Sequence, residues 1–104
     1  MLHTVKHSPF GHQSLVQALG QLQEQDRLLL WQDAVIAATV PVWQTRLQAL
    51  ADSGRLYVMQ EDLQARGLSH DAGEPMTGEP ITGEPITMEG LVDLVVELGG
   101  SQAW

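Results

Sequence analysis

Three short apolar runs decide most of what this chain can fold into. In "RLLLW" (residues 27–31) the residues after Arg27 are continuously apolar, and the run is too short to be a helix of its own. A run of that kind is a strand buried on both faces. "LHTV" (residues 2–5) and "RLYVM" (residues 55–59) are two more strand candidates. Between them lie segments with helical spacing. "HQSLVQALGQLQEQD" puts Leu15, Leu19 and Leu22 on one side, and "VWQTRLQALADSG" does the same with Trp43, Leu47 and Leu50. Ser14 with Gln17 fits a capping box for the first helix. Asp33 is placed to cap the short helical turn "AVIAAT", and Pro41 restarts the chain after it. "QEDLQARG" reads as a short helix stopped by Gly67, and "MEGLVDLVVELGG" as the last helix, stopped by Gly99-Gly100. Strands alternating with helices give βαβ units. The expected fold is therefore α/β, three-layered, with a mainly parallel sheet of about four strands and helices on both faces.

The stretch "GEPMTGEPITGEPIT" (residues 73–87) is one pentapeptide written three times. Proline at every fifth position argues against a continuous central strand, and Gly, Glu and Pro favour a solvated turning loop. Only the last copy runs into the final helix. Pro85 is expected to begin a short fourth strand, with helix entry at Thr87 or Met88. The earlier copies are expected to be mobile or to lie over the surface, so that deleting residues 73–77 leaves folding and partner binding intact. The chain then reads as a single domain over 1–104, with a repeat-expanded loop at 69–84.

Composition narrows the function. Thirteen acidic residues against five basic ones give a formal charge of −8. Lys6, Arg27, Arg46, Arg55 and Arg66 are scattered along the sequence, so direct nucleic-acid binding by this chain alone is not expected. There is no cysteine. That excludes disulfides, thiolate metal sites and a cysteine nucleophile. No apolar run reaches membrane-span length and no secretory signal is seen at the start, so the expected setting is cytoplasmic, without a membrane.

In a parallel sheet, ligands and partners meet the carboxyl ends of the strands. Ser8, Gln32-Asp33, Gln60-Glu61-Asp62 and Glu89 would collect there. These carboxylates suit acid–base chemistry if burial raises a pKa, or helix capping, which is the commoner use of acids at helix starts. No activated nucleophile is visible. His3 and His7 straddle a strand end without a third ligand, so they read as hydrogen-bonded or partly exposed histidines rather than a metal site. "GEPITGEP" lacks the lysine of a phosphate-binding loop. No catalytic, cofactor-binding or metal residue is assigned.

Trp43 suits core or interface. Trp104 must dock on the core or on a partner to stay ordered. In the last helix Leu91, Leu94, Val95 and Leu98 form an apolar face, Val92 and Val96 widen it, and Glu89, Asp93 and Glu97 form an acidic stripe. A helix that apolar wants cover on more than one side, from a subunit interface or from a tightly covered core. Candidate interface or functional-edge residues are thus Ser8, Gln32, Asp33, Glu61, Asp62, Leu91, Val92, Val95, Val96 and Trp104.

"LHTVKHSPF", "LLLWQDAVIAA", "LYVMQEDLQARGL", "LVDLVVE" and the terminal "SQAW" together resemble, in order, the DsrH/TusB family of sulfur-relay proteins. The resemblance implies a small DsrE-like fold and a hetero-oligomer with DsrE/TusD-type and DsrF/TusC-type subunits. In one branch that complex passes persulfide sulfur toward 2-thiolation of the tRNA wobble uridine; in another it serves dissimilatory sulfur oxidation. The principal sulfur-carrying cysteine belongs to the DsrE/TusD-type subunit. Some DsrH-type members also carry a cysteine in the first helix, where this chain has "SLVQALGQL". The leading expectation is a non-catalytic subunit on the tRNA branch, without a cofactor. A sulfur-oxidation subunit, a small carboxylate-dependent enzyme and a self-associating adaptor are the competing readings.

Overall fold

The structure, a computed structural model, describes residues 1–69 and 81–104. The first repeat copy and the start of the second therefore lie outside the described residues. The rest forms five strands and four α-helices: β1 (Leu2–Val5), α1 (Ser14–Gln21), β2 (Arg27–Leu30), α2 (Pro41–Asp52), β3 (Leu56–Met59), α3 (Gln60–Ala65), β4 (Glu84–Ile86), α4 (Met88–Leu98) and β5 (Ser101–Ala103). A 3₁₀ helix, Gln32–Ala38, joins β2 to α2. The sheet order is β4-β3-β2-β1-β5, and every pairing among the described strands is parallel.

That order sets the layers. The chain steps from β1 to β4 in one direction, so right-handed crossovers keep α1 and α2 on one face. The step from β4 to β5 runs back across the whole sheet and carries α4 over the other face. Register agrees. Val5, Leu30 and Val58 align along one face, with His3, Leu28 and Leu56 beside them, while Leu2, Leu29 and Tyr57 point the other way. Leu2, Val5, Leu28, Leu29, Leu30 and Val58 are fully buried, as expected for strands covered on both sides. Leu15 and Ala18 of α1, Trp43, Leu47 and Leu50 of α2, and Leu94 of α4 complete the core.

Several local devices match the sequence reading. Pro41 opens α2, where its missing N–H costs nothing. Gly54 and Gly67, each just past a helix end, adopt left-handed φ values of +72° and +67°. The last repeat copy has a structural use at every position. Gly83 sits at φ +102°, with Leu56 Cγ and Val58 Cγ2 only 3.0 Å from where a Cβ would stand. Glu84–Ile86 is β4, one residue earlier than expected, and Thr87 caps α4 by accepting the Gly90 N–H at 3.3 Å. From the second copy, Thr82 is buried and donates its backbone N–H to Ala38 O at 2.9 Å.

Three expectations change. There are five strands rather than four: β5 is a short polar edge strand held by backbone pairing to β1, which no side-chain pattern announces. The Ser14 capping box does not form, because Gln13 is the N-cap residue of α1 and makes no side-chain cap bond. Asp33 does not cap the segment after β2 either; it lies inside the first turn of the 3₁₀ helix, turned to another partner.

Candidate functional site

The carboxyl edge of the sheet begins where β2 ends. Trp31 continues the ladder by donating its N–H to Val5 O at 3.1 Å. Gln32 then turns into the left-handed region at φ +50°, the one non-glycine residue to do so among those described. That conformation costs an L-residue about 1–2 kcal/mol. Asp62 of α3 compensates by accepting the Gln32 N–H at 2.7 Å. The bond joins two residues that the sequence placed at the same edge from different strands.

Arg66 ties the edge further. Its Nε and Nη2 donate to Asp33 Oδ1 at 3.2 and 2.9 Å, and Nη1 reaches the Asp62 main-chain oxygen at 3.3 Å and its Oδ1 at 3.5 Å. Asp33 is 69% exposed, so this pair orients the two chain segments more than it stabilises them. Ser8, Asp33, Ile36, Arg66 and Leu68 line one pocket of about 270 Å³. Ser8 Oγ accepts the Phe10 N–H at 3.2 Å, which closes the turn after β1. Glu61 goes elsewhere: its Oε2 accepts the Met88 N–H at 3.1 Å, a cap on α4 supplied from α3. Glu89 lies exposed in the first turn of α4.

Of the residues expected together at this edge, Glu61 is turned to the start of α4 and Glu89 lies exposed beyond it, while the structure brings Ser8, Gln32, Asp33 and Asp62 together. It joins Ser8 to Asp33 through the pocket and Gln32 to Asp62 through a hydrogen bond. Arg66 was missed as the organiser, because its two carboxylate partners come from separate elements. Phe10 was missed as well. It stands 64% exposed on the β1–α1 loop, the same loop in which the rings of His7 and His12 stack 4.2 Å apart. The available signal was an aromatic held between Pro9 and Gly11 in a loop. The edge offers oriented polar groups and an apolar wall, but its carboxylates are already engaged by Arg66 and by backbone N–H groups. No group of three or more His, Cys, Asp or Glu is placed to hold a metal among the described residues.

The second candidate surface is α4. Leu94 is buried, and Leu91, Val95 and Leu98 pack against the core from partly buried positions. Met88, Val92 and Val96, spaced four apart, face outward at 49%, 58% and 77% exposure. The residues after each of them, Glu89, Asp93 and Glu97, lie exposed alongside. The expected wide apolar face is therefore divided into an inner half that packs against the core and an outer half that is left largely exposed. Trp104 lies against His3, their rings 6.0 Å apart, and packs on the core.

Residues 7–99 match the model of a family described as DsrH like protein. The chain belongs to the DsrH-like family. Relatives of this DsrH-like chain include Protein TusB of Yersinia pestis (strain Pestoides F) and Protein TusB of Yersinia pseudotuberculosis serotype O:1b (strain IP 31758). Each is 41% identical over 68 residues, which covers 65% of this chain and 70% of the relative. The family match takes in the pocket at the carboxyl edge and all the helices described. It stops short of His3 on one side and Trp104 on the other. No helix among the described residues is long and apolar enough to cross a membrane.

Proposed function

We propose that this DsrH-like chain is an accessory, non-catalytic subunit of a sulfur-relay assembly that passes persulfide sulfur toward 2-thiouridine formation at the tRNA wobble position. One observation carries the reading: the whole sequence lacks cysteine. Persulfide transfer needs a thiolate as nucleophile and carrier. A family member without one contributes shape and contacts, and a partner contributes the sulfur chemistry. The TusB names of the relatives favour the tRNA branch over sulfur oxidation.

The partners are DsrE/TusD-type and DsrF/TusC-type subunits in a hetero-oligomer, with tRNA held by other chains. The outer stripe of α4, Val92 and Val96 with Met88, suits burial in such an assembly, and its acidic border suits a basic rim on the partner. The pocket lined by Ser8 and Asp33 at the carboxyl edge suits the side turned to the partner's reactive segment. Gln32 and Asp62 hold that edge in shape.

Co-expression with both partner types is the direct test. The expected outcome is a stable ternary complex, and loss of wobble thiolation when this chain is omitted. Partners that assemble and thiolate normally without it would remove the proposed role. Normal thiolation together with impaired sulfur oxidation would move the chain to the other branch.

A further inference from the structure

We propose that His3 is a pH-sensitive latch that holds β5 to the sheet through Trp104. β5 is an edge strand of three residues, all exposed, and it pairs only with β1 among the described strands. So short a ladder needs an anchor. Trp104, directly after it, supplies one. Its backbone N–H donates to Thr4 O at 2.9 Å, and its indole Nε1–H donates to His3 Nδ1 at 3.0 Å. His3 is only 4% exposed.

The hydrogen-bond chemistry fixes the histidine's state. An indole N–H is a donor only, so Nδ1 must present its lone pair. The ring proton then sits on Nε2 and donates to Asp26 Oδ2 at 2.9 Å. Asp26 also accepts the Gln23 N–H at 3.0 Å and the Met1 ammonium at 3.1 Å. The Gln23 bond first, then the His3 and Met1 contacts, hold its carboxyl at about 2, below its ordinary value of 3.8. Asp26 therefore stays an acceptor through the range in which histidines titrate.

The two sides of the ring respond oppositely to a second proton. Asp26 favours an imidazolium. Trp104 does not, because protonation at Nδ1 sets two N–H donors face to face at 3.0 Å. Few other charges bear on the ring. Met1 ammonium sits on Asp26, and Arg55 reaches the Asp26 main-chain oxygen at 3.2 Å. α1, which packs on β1, has no titratable residue, and the flanking strand positions are Leu28 and Gln102. A second proton on the ring, placed at Nδ1, should therefore expel the indole, free β5 and leave the outer edge of β1 unpaired.

NMR on the full ¹⁵N-labelled chain tests this. At neutral pH, the His3 ring should show the Nε2–H tautomer. As the pH is lowered, exchange protection of the Trp104 indole and backbone N–H groups should fall about tenfold, the scale of one hydrogen bond. Leu29 and Leu30 amides should stay protected. Trp104→Phe keeps an aromatic ring and removes the donor, so its β5 protection should be lower at neutral pH and flat over the same pH range. An Nδ1–H tautomer overturns the latch. So does β5 protection that ignores His3, or loss that spreads equally to Leu29 and Leu30.

Discussion

The two faces of the sheet are covered very differently. On one face α1 and α2 lie side by side, and their outward residues include Gln17, Gln21, Gln48 and Asp52, with one exposed valine on each helix, Val16 and Val42, rather than a row of them. On the other face α4 is the one helix among the described residues, and its outward residues include Val92 and Val96. Yet the strands beneath are equally buried: Leu30 toward α1 and α2, and Leu29 toward α4, are both fully hidden. The difference lies in the outer surface. α4 seals its side of the core and remains apolar on its back, as a helix sandwiched between a sheet and something further would be.

The largest expected effects test whether the two inner faces are equal. Leu30→Ala and Leu29→Ala should each cost about 2–5 kcal/mol in chemical denaturation, because each leaves a cavity in a fully buried layer. A much smaller cost at Leu29 would mean that α4 covers its face only loosely, and the comparison would fail.

Next comes the strand at the start of the α4 crossover. Gly83→Ala puts a Cβ at φ +102° within 3.0 Å of Leu56 and Val58. It should cost about 1–3 kcal/mol from strain and overpacking. The same change at Gly11, with nothing within 4 Å of its added Cβ, should be far milder in the same denaturation assay.

The amino end of the central strand β2 supplies a pH test. Asp26 has its carboxyl lowered from 3.8 to about 2 by the Gln23, His3 and Met1 contacts. A depressed folded-state pKa gives stability that is present above the unfolded value and lost as pH falls through the folded one. Thermal melts should therefore lose this contribution between about pH 4 and pH 2. Asp26→Ala should remove that dependence and cost about 1–3 kcal/mol at neutral pH, since it strands the buried His3 N–H.

How far these regions could be read in advance depended on the range of the interactions. β1, β2 and β3 announce themselves by local apolar runs, and α2 by Pro41, its leucine spacing and Gly54. Those signals lie within a dozen residues. β5 gives none, because Ser101, Gln102 and Ala103 are exposed and their role is backbone pairing with a strand a hundred residues away. At the carboxyl edge, residue membership was legible from topology. The bonds were not: Gln32 to Asp62, Asp33 to Arg66 and Glu61 to Met88 each span about thirty positions, and any acid nearby could have taken either role. The left-handed Gln32 is the clearest case. Glutamine has no preference for that conformation, and only the waiting Asp62 carboxylate accounts for it.

The smallest expected effect on the isolated chain carries the most about its role. Val92→Ser and Val96→Ser replace exposed side chains that touch little of the core, so each should change stability by about 0.5 kcal/mol or less. If the back of α4 is covered by a partner subunit, the same pair should weaken assembly strongly, because apolar anchors at an interface centre carry much of the binding energy. Gln48→Ser on the outer side of α2 supplies the matched control and should alter neither property. Pull-down from co-expressing cells, with denaturation of the purified chain alongside, separates the outcomes. Assembly that survives both valine changes would leave the two faces equally inert. The apolar back of α4 would then be an exposed surface without the partner that its residues imply.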